Sequence, residues 1–140
     1  MSELGKLSPE ERRIASLDFY NDGKDNASPR AMTILLEKLW NKEILSKQSS
    51  KLLLDIMKKC KTGNSRIRGL LPEESVVYHK TGTIGNVTND VGIVELPPGY
   101  GNIVISLFIK EAKVNTKESE KIIAEIARLL YDYSILSEEK

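Results

Sequence analysis

The segment His79-Lys80-Thr81-Gly82-Thr83 concentrates side chains that could bind an anion. Its lysine supplies a cation, its threonines supply hydroxyl donors, and its glycine lets a ligand approach the backbone. The apolar pair Val76-Val77 precedes it and a second β-rich segment begins near Thr88, so these residues should lie on one edge of a sheet. A strand edge holds such groups rigidly, which predicts a site for an anionic ligand.

The triplet Lys80-Thr81-Gly82 is a weak signal by itself, because Lys61-Thr62-Gly63 repeats it without a strand around it. A purely structural interpretation of the first triplet also exists. Edge strands carry charged and polar side chains that prevent pairing with another chain, and Lys80 and Thr81 could serve that purpose alone. The surrounding elements therefore decide which interpretation is favoured.

The composition excludes several classes of protein and site. Among 140 residues, 21 Lys and Arg nearly balance 20 Asp and Glu, which gives no electrostatic case for binding nucleic acid or an anionic membrane. One cysteine, Cys60, and one histidine, His79, exclude an intrachain disulfide and any thiolate or multi-histidine metal site. No run approaches the roughly 18 apolar residues of a membrane span. We expect no metal and no cofactor.

Four helices are predicted from caps and from apolar residues at helical spacing. Ser8, Ser28 and Ser46 are each suited to begin a helix, because a serine side chain can accept a backbone N–H of the first turn. These three helices should cover about 9–17, 29–41 and 47–60. A fourth, amphipathic helix capped by Thr116 should run to about Tyr133.

Three strand-like runs separate the third and fourth helices, namely Val76–Lys80, Val87–Leu96 and Asn102–Lys110. The turn at 97–101 joins the last two runs in an antiparallel hairpin, and the first should pair with the second. Helices followed by a three-stranded antiparallel sheet and a C-terminal helix make an α+β fold. The length suits a single domain spanning 1–140.

Taken together, these segments resemble class A β-lactamases and related serine hydrolases from about Asn21 to Tyr133. The segment 79–83, followed by Thr88-Asn89-Asp90-Val91-Gly92-Ile93-Val94, matches that family's β3–β4 region, whose K-T-G element accompanies S-x-x-K and S-D-N. Residues 21–32 resemble the segment after the family's Ω-loop, and 63–72 resemble the loop before its β3. The resemblance implies a partial β-lactamase/transpeptidase-like fold with 1–20 as an atypical N-terminal segment.

The resemblance also implies roles for individual residues. Lys80-Thr81-Gly82-Thr83 would bind the substrate's carboxylate, with Lys80 also supporting the serine of the S-D-N element, which this sequence lacks. The backbone N–H of Thr83 would be one donor of the oxyanion hole. Arg66 falls where some family members place a carboxylate-binding arginine, and an exposed turn arginine is the alternative. His79 should alternate to the opposite face from Lys80 and be structural.

Departures from the family limit the expected activity. The only S-x-x-K is Ser137-Glu138-Glu139-Lys140, where chains fray, and neither S-D-N nor the Glu-x-x-Leu-Asn of the general base occurs. Ile14-Ala15-Ser16-Leu17-Asp18 stands in place of that base. The sequence therefore predicts the C-terminal part of a β-lactamase-like serine hydrolase. Intact relatives would open β-lactams through an acyl-enzyme, whereas this chain would be inactive alone.

Two other functions stay open at this stage. A non-catalytic binding or assembly module could keep this fold, and an anion-binding domain could use the same side chains. The expected partners are a β-lactam or another carboxylate-bearing acyl substrate, a missing N-terminal half, and a second copy in a homodimer joined through the edge of Asn102–Lys110. An intact form that follows its family would be periplasmic or secreted, although Met1–Lys6 shows no signal peptide.

Overall fold

The computed structural model describes residues 8–24 and 26–137, apart from the side chains at 16, 19, 20 and 21. Its helices and strands follow the predicted order and confirm the α+β fold. They are α1 (Pro9–Asn21), α2 (Pro29–Trp40), α3 (Lys47–Lys58), β1 (Val77–Ile84), β2 (Val87–Glu95), β3 (Asn102–Ile109) and α4 (Thr116–Leu136), with a 3-10 turn at Ile67–Leu70. No helix in these ranges is long and apolar enough to cross a membrane.

The predicted serine caps begin the first three helices. Ser28 and Ser46 each accept a backbone N–H with the side-chain oxygen, as Ser8 also does in a reciprocal capping box. The fourth helix is capped by Asn115 rather than Thr116, because the Asn115 side chain accepts a first-turn N–H at 2.9 Å. The prediction was therefore wrong by one residue at that end.

The three strands form one antiparallel sheet in the order β1-β2-β3. β1 extends beyond Lys80, where the prediction ended it, because pairing continues until Ile84 meets Val87 across the two-residue turn Gly85-Asn86. The predicted anion-binding residues therefore lie inside a paired strand. Among the described residues, no strand pairs with the outer edge of β1 or of β3.

Helices pack on both faces of the sheet, which gives the molecule two apolar cores. On one face, α4 and the 3-10 turn bury Ile67, Ile123 and Ala127 against Val77 and Val94. The opposite face of the sheet packs against α2 and α3, in a cluster made of Leu36, Leu39, Leu54, Met57, Val91 and Ile93. The two sets of helices leave the second half of β1 accessible at the edge of the sheet.

The described side chains of α1 contribute little to either core. Every side chain of α1 that the structure describes is exposed, including Ile14 at 49% and Leu17 at 48%. α3 ends at Lys58 rather than at the predicted residue 60, so Cys60 lies beyond the helix, where it is half-buried.

Candidate functional site

The pleat of β1 divides the predicted anion-binding side chains between the two faces of the sheet. Lys80 lies on the α2–α3 face with Val91, whereas Thr81 and Thr83 lie on the face of the 3-10 turn. Lys80 is exposed, and its Nζ donates to the carbonyl oxygen of Thr81 at 2.5 Å.

Arg66 is a buried clamp at the end of β1. Its side chain and backbone are only 5% exposed, which excludes the alternative of an exposed turn arginine. Nε donates to Oε1 of Glu120 on α4 at 3.1 Å. Nη1 donates to the carbonyl oxygens of Gly82 at 3.1 Å and Asn89 at 2.8 Å, and Nη2 donates to Oγ1 of Thr83 at 2.5 Å. One side chain thus joins α4, β1 and β2.

This clamp determines which hydrogen-bond donors remain for a ligand. The hydroxyl oxygen of Thr83 accepts from Arg66, so the Thr83 proton can point outward and donate. An arginine has five N–H groups, and the bonds described above engage four of those of Arg66. These bonds fix the orientation of the Thr83 hydroxyl and leave one N–H of Arg66, at Nη2, outside them.

The loop between α3 and the 3-10 turn docks directly on Thr81. Gly63 has φ +70°, and a Cβ at this position would lie 2.4 Å from Cγ2 of Thr81. Beside it, Oγ1 of Thr62 lies 2.6 Å from Oγ1 of Thr81. The Thr81 hydroxyl is therefore already engaged within the chain. Thr62 was not predicted to belong to the site, although the repeated triplet Lys61-Thr62-Gly63 could have indicated it.

A buried histidine–carboxylate pair supports this end of the sheet. His79 and Asp90 are both fully buried, and Nδ1 of His79 lies 3.0 Å from both carboxylate oxygens of Asp90. Asp90 also accepts the backbone N–H of Ile67 at 3.1 Å, which fixes the residue next to Arg66. His79 lies on the opposite face of β1 from Lys80, as predicted; its purely structural role stays a prediction.

Space for this pair depends on Gly92, which pairs with His79 across the strands. A Cβ on Gly92 would lie 2.8 Å from Cβ of His79 and 2.5 Å from the carbonyl oxygen of Tyr78. A glycine directly opposite a histidine is a sequence signal for such a close approach.

Tyr78 and Trp40 form an aromatic contact further along β1, with ring centroids 5.5 Å apart in an edge-to-face arrangement. Burial, followed by the hydrogen bond that Tyr78 donates to Glu95 at 2.6 Å, raises the pKa of the Tyr78 hydroxyl to about 12. Trp40 packs against the α2–α3 core, as expected for a structural tryptophan.

The arrangement at the second half of β1 suits binding of an anion at the strand edge. Lys80 keeps N–H donors beyond the one given to Thr81, and Thr83 keeps its hydroxyl proton. The role of the Thr83 backbone N–H as a donor of the oxyanion hole stays a prediction. Of the S-x-x-K at 137–140, only Ser137 belongs to the described residues, and it lies at the end of α4.

Comparisons with known proteins agree on one group of relatives. The model of the Beta-lactamase enzyme family matches residues 3–134. The β-lactamase VEB-1 of Pseudomonas aeruginosa is 41% identical over 124 residues, which are 83% of this chain and 41% of VEB-1. The carbapenem-hydrolyzing β-lactamase KPC of Klebsiella oxytoca is 37% identical, covering 77% of this chain and 37% of its own length.

Solved structures give the same picture. The crystal structure of the TLA-1 extended-spectrum β-lactamase is 36% identical with a TM-score of 0.78, over 91% of this chain and 47% of that one. A β-lactamase from Chitinophaga pinensis is 38% identical with a TM-score of 0.79, over 91% of this chain and 48% of that one. The chain thus spans less than half the length of these relatives.

Proposed function

This chain belongs to the class A β-lactamase family, and we propose that it forms the C-terminal part of a serine hydrolase of that family. In this proposal its role is to bind the carboxylate of the substrate along the second half of β1. The observation that carries the proposal is the bond from Nη2 of Arg66 to Oγ1 of Thr83, which orients a hydroxyl donor at the edge of the sheet.

The proposed substrate is a β-lactam or another acyl compound that bears a carboxylate. Lys80 would supply the positive field, and Thr81, Gly82 and Thr83 would supply the strand against which the carboxylate lies. The hydroxyls of Thr81 and Thr62 share a hydrogen bond in which either can be the donor, whereas the hydroxyl of Thr83 accepts from Arg66 and keeps its proton. We therefore assign direct donation to Thr83 and a supporting role to Thr81. Arg66 would act through Thr83 rather than by a bidentate contact of its own.

Turnover by the chain alone is not proposed. Acyl transfer needs an activated nucleophile, and the sequence lacks S-D-N and the Glu-x-x-Leu-Asn element, with its only S-x-x-K at 137–140. The complementary N-terminal half of the fold would supply the serine of S-x-x-K and the S-D-N element. The coverage of less than half of VEB-1 and TLA-1 supports the proposal of such a partner.

The test has a catalytic arm and a binding arm. Incubation with a penicillin should give no stoichiometric covalent adduct by mass spectrometry, and an adduct on any serine would overturn the proposal. In the binding arm, acetate and a penicillin should each shift the amide resonances of 81–83. Lys80→Ala should weaken this binding severalfold and remove its salt dependence, whereas Lys61→Ala, in the other triplet, should not.

A non-catalytic assembly module is the second candidate, favoured by the outer edge of β3. No strand among the described residues pairs with this edge, and β3 carries apolar side chains on both faces, with Ile105 in one core and Val104 and Phe108 against the other. Such an edge recruits another strand, and the simplest closed result is a two-fold dimer. Sedimentation at micromolar concentration should detect this dimer, and a compact monomer with protected β3 amides would exclude it.

A further inference from the structure

Two hydroxyl groups meet where the loop after α3 docks on β1. Oγ1 of Thr62 lies 2.6 Å from Oγ1 of Thr81, and either atom can be the donor of this hydrogen bond. The loop is held in place, because the backbone N–H of Arg66 donates to the carbonyl oxygen of Gly63 at 2.9 Å and Gly63 leaves no room for a side chain beside Thr81. The direction of the bond between Thr62 and Thr81 decides which group Thr81 presents at the strand edge.

Each direction of this bond has a different consequence for a ligand. When Thr62 donates, the proton of Thr81 can point outward, whereas a Thr81 that donates to Thr62 has used its proton within the chain. The oxygens of a carboxylate only accept hydrogen bonds, so a carboxylate requires donation by Thr62. No such choice exists at Thr83, because the arginine that contacts it has no acceptor atom and always donates.

The thiol group of Cys60 favours donation from Thr62 to Thr81. Its Sγ lies 3.4 Å from Oγ1 of Thr62 and 3.7 Å from the carbonyl oxygen of Thr62. Among the described residues, the hydroxyl proton of Thr62 therefore has two acceptors, the oxygen of Thr81 and a sulfur, and sulfur is the weaker one. The thiol hydrogen can donate to the carbonyl oxygen in either case. Donation from Thr62 to Thr81 thus gives the stronger set of bonds.

We propose that Thr62 is a positioning residue of the carboxylate site, which donates to Thr81 and thereby turns the hydroxyl proton of Thr81 toward the ligand. This inference deepens the proposed function and rests on it, because Thr81 then supports Thr83 as a second hydroxyl donor. The two hydroxyls lie on one face of β1, two residues and hence about 6.6 Å apart along the strand. Hydrogen bonds of about 2.7 Å from each let both reach one carboxylate.

The test measures the affinity of benzylpenicillin for the 140-residue chain from shifts of the amide resonances of 81–83. Thr62→Val keeps the shape of the side chain and removes its hydroxyl, so the dissociation constant should rise about fivefold, the usual effect of losing one hydrogen bond. Thr62→Ser restores the hydroxyl and should bind within about twofold of the original chain. The control is Thr116→Val, at an exposed threonine of α4 outside the site, which should leave the affinity unchanged.

Two further measurements separate a positioning role from a structural one. The primary amide of the same penicillin carries N–H donors as well as an acceptor oxygen, so it can bind Thr81 whichever way the hydroxyl proton points. Thr62→Val should therefore change its affinity less than about twofold. Thr81→Val removes the hydroxyl on which Thr62 acts. The double variant Thr62→Val/Thr81→Val should then bind the carboxylate no more weakly than Thr81→Val alone.

The possible failures are distinguishable from one another. Equal effects of Thr62→Val on the acid and the amide, or additive effects of the two valine substitutions, would assign Thr62 a structural role and overturn the proposal. An unchanged affinity in Thr62→Val, with binding that still depends on Lys80, would overturn it and leave the proposed function intact. If the original chain binds no penicillin at 81–83, the proposed function fails and this inference fails with it.

Discussion

Nη2 of Arg66 donates to Oγ1 of Thr83 at 2.5 Å, joining residues 17 positions apart in the sequence. The same guanidinium group holds the carbonyl oxygens of Gly82 and Asn89, which lie opposite each other on β1 and β2. The end of this hairpin is therefore fixed from within the protein. A ligand at the strand edge would meet a donor that is already oriented.

Replacing Arg66 should destabilise the protein strongly. Arg66→Ala leaves Glu120 and two backbone carbonyls without their buried donor, so the free energy of unfolding should fall by about 3 kcal/mol. Urea denaturation measures the change. The matched variant is Arg68→Ala, which loses one bond to the carbonyl oxygen of Val77 and should cost about 1 kcal/mol. Equal losses of unfolding free energy in the two variants would contradict the bonds assigned to Arg66.

Removing the carboxylate of Asp90 should destabilise the protein strongly, although the side chain is small. Asp90→Ala leaves the Ile67 N–H and Nδ1 of His79 buried without an acceptor, which should lower the free energy of unfolding by about 3 kcal/mol. Asp90→Asn keeps one acceptor oxygen and should cost roughly half as much. Thermal unfolding of the two variants side by side tests this order, and a reversed order would refute the assigned bonds.

Gly63→Ala should displace the loop that docks on Thr81. The added Cβ would fall 2.4 Å from Cγ2 of Thr81, in a backbone with φ +70°. Gly101→Ala is the control, because Gly101 has φ +75° and nothing within 4 Å of its Cβ. Alanine at 101 should cost about 1 kcal/mol from backbone strain alone, and alanine at 63 should cost at least twice that. Chemical shifts of Thr62 and Thr81 should move only in the variant at 63.

The hydroxyl of Tyr78 should make stability depend on pH in the alkaline range. Its pKa is raised from 10.0 to about 12, so the stabilisation is fully present below pH 10 and is lost as pH rises towards 12. Tyr78→Phe should unfold with a shallower pH dependence in that window. Denaturant titrations at several pH values give the slopes, and identical slopes for both proteins would show that Tyr78 ionises like an exposed tyrosine.

Local rules predicted most of the fold and only part of the site. Ser28 and Ser46 cap their helices because an N-terminal cap depends on neighbours within one turn. The alternation of Ile105 and Val104 placed them in opposite cores because the strand period is fixed. These features depend on short stretches of sequence, so they can be predicted from a single sequence.

The contacts of Arg66 could not be predicted in the same way. Its partner Glu120 lies 54 residues away on α4, and no periodicity links the two positions. The resemblance to a family indicated the position of Arg66 but not its burial or its bonds to Gly82 and Asn89. Such contacts follow from how α4 and the loop before β1 pack, which is a property of the assembled fold.

The close approach at Gly92 constrains how the sequence can change over evolutionary time. The atom nearest to an added Cβ is the carbonyl oxygen of Tyr78, at 2.5 Å, and this atom belongs to the backbone. A substitution at 78 or 79 changes a side chain and leaves this backbone oxygen in place. It therefore cannot make room for a larger residue at 92. Descendants that keep the pairing of His79 with Gly92 must keep this glycine. We therefore expect glycine at this position in divergent copies of this chain that keep the pairing of β1 with β2.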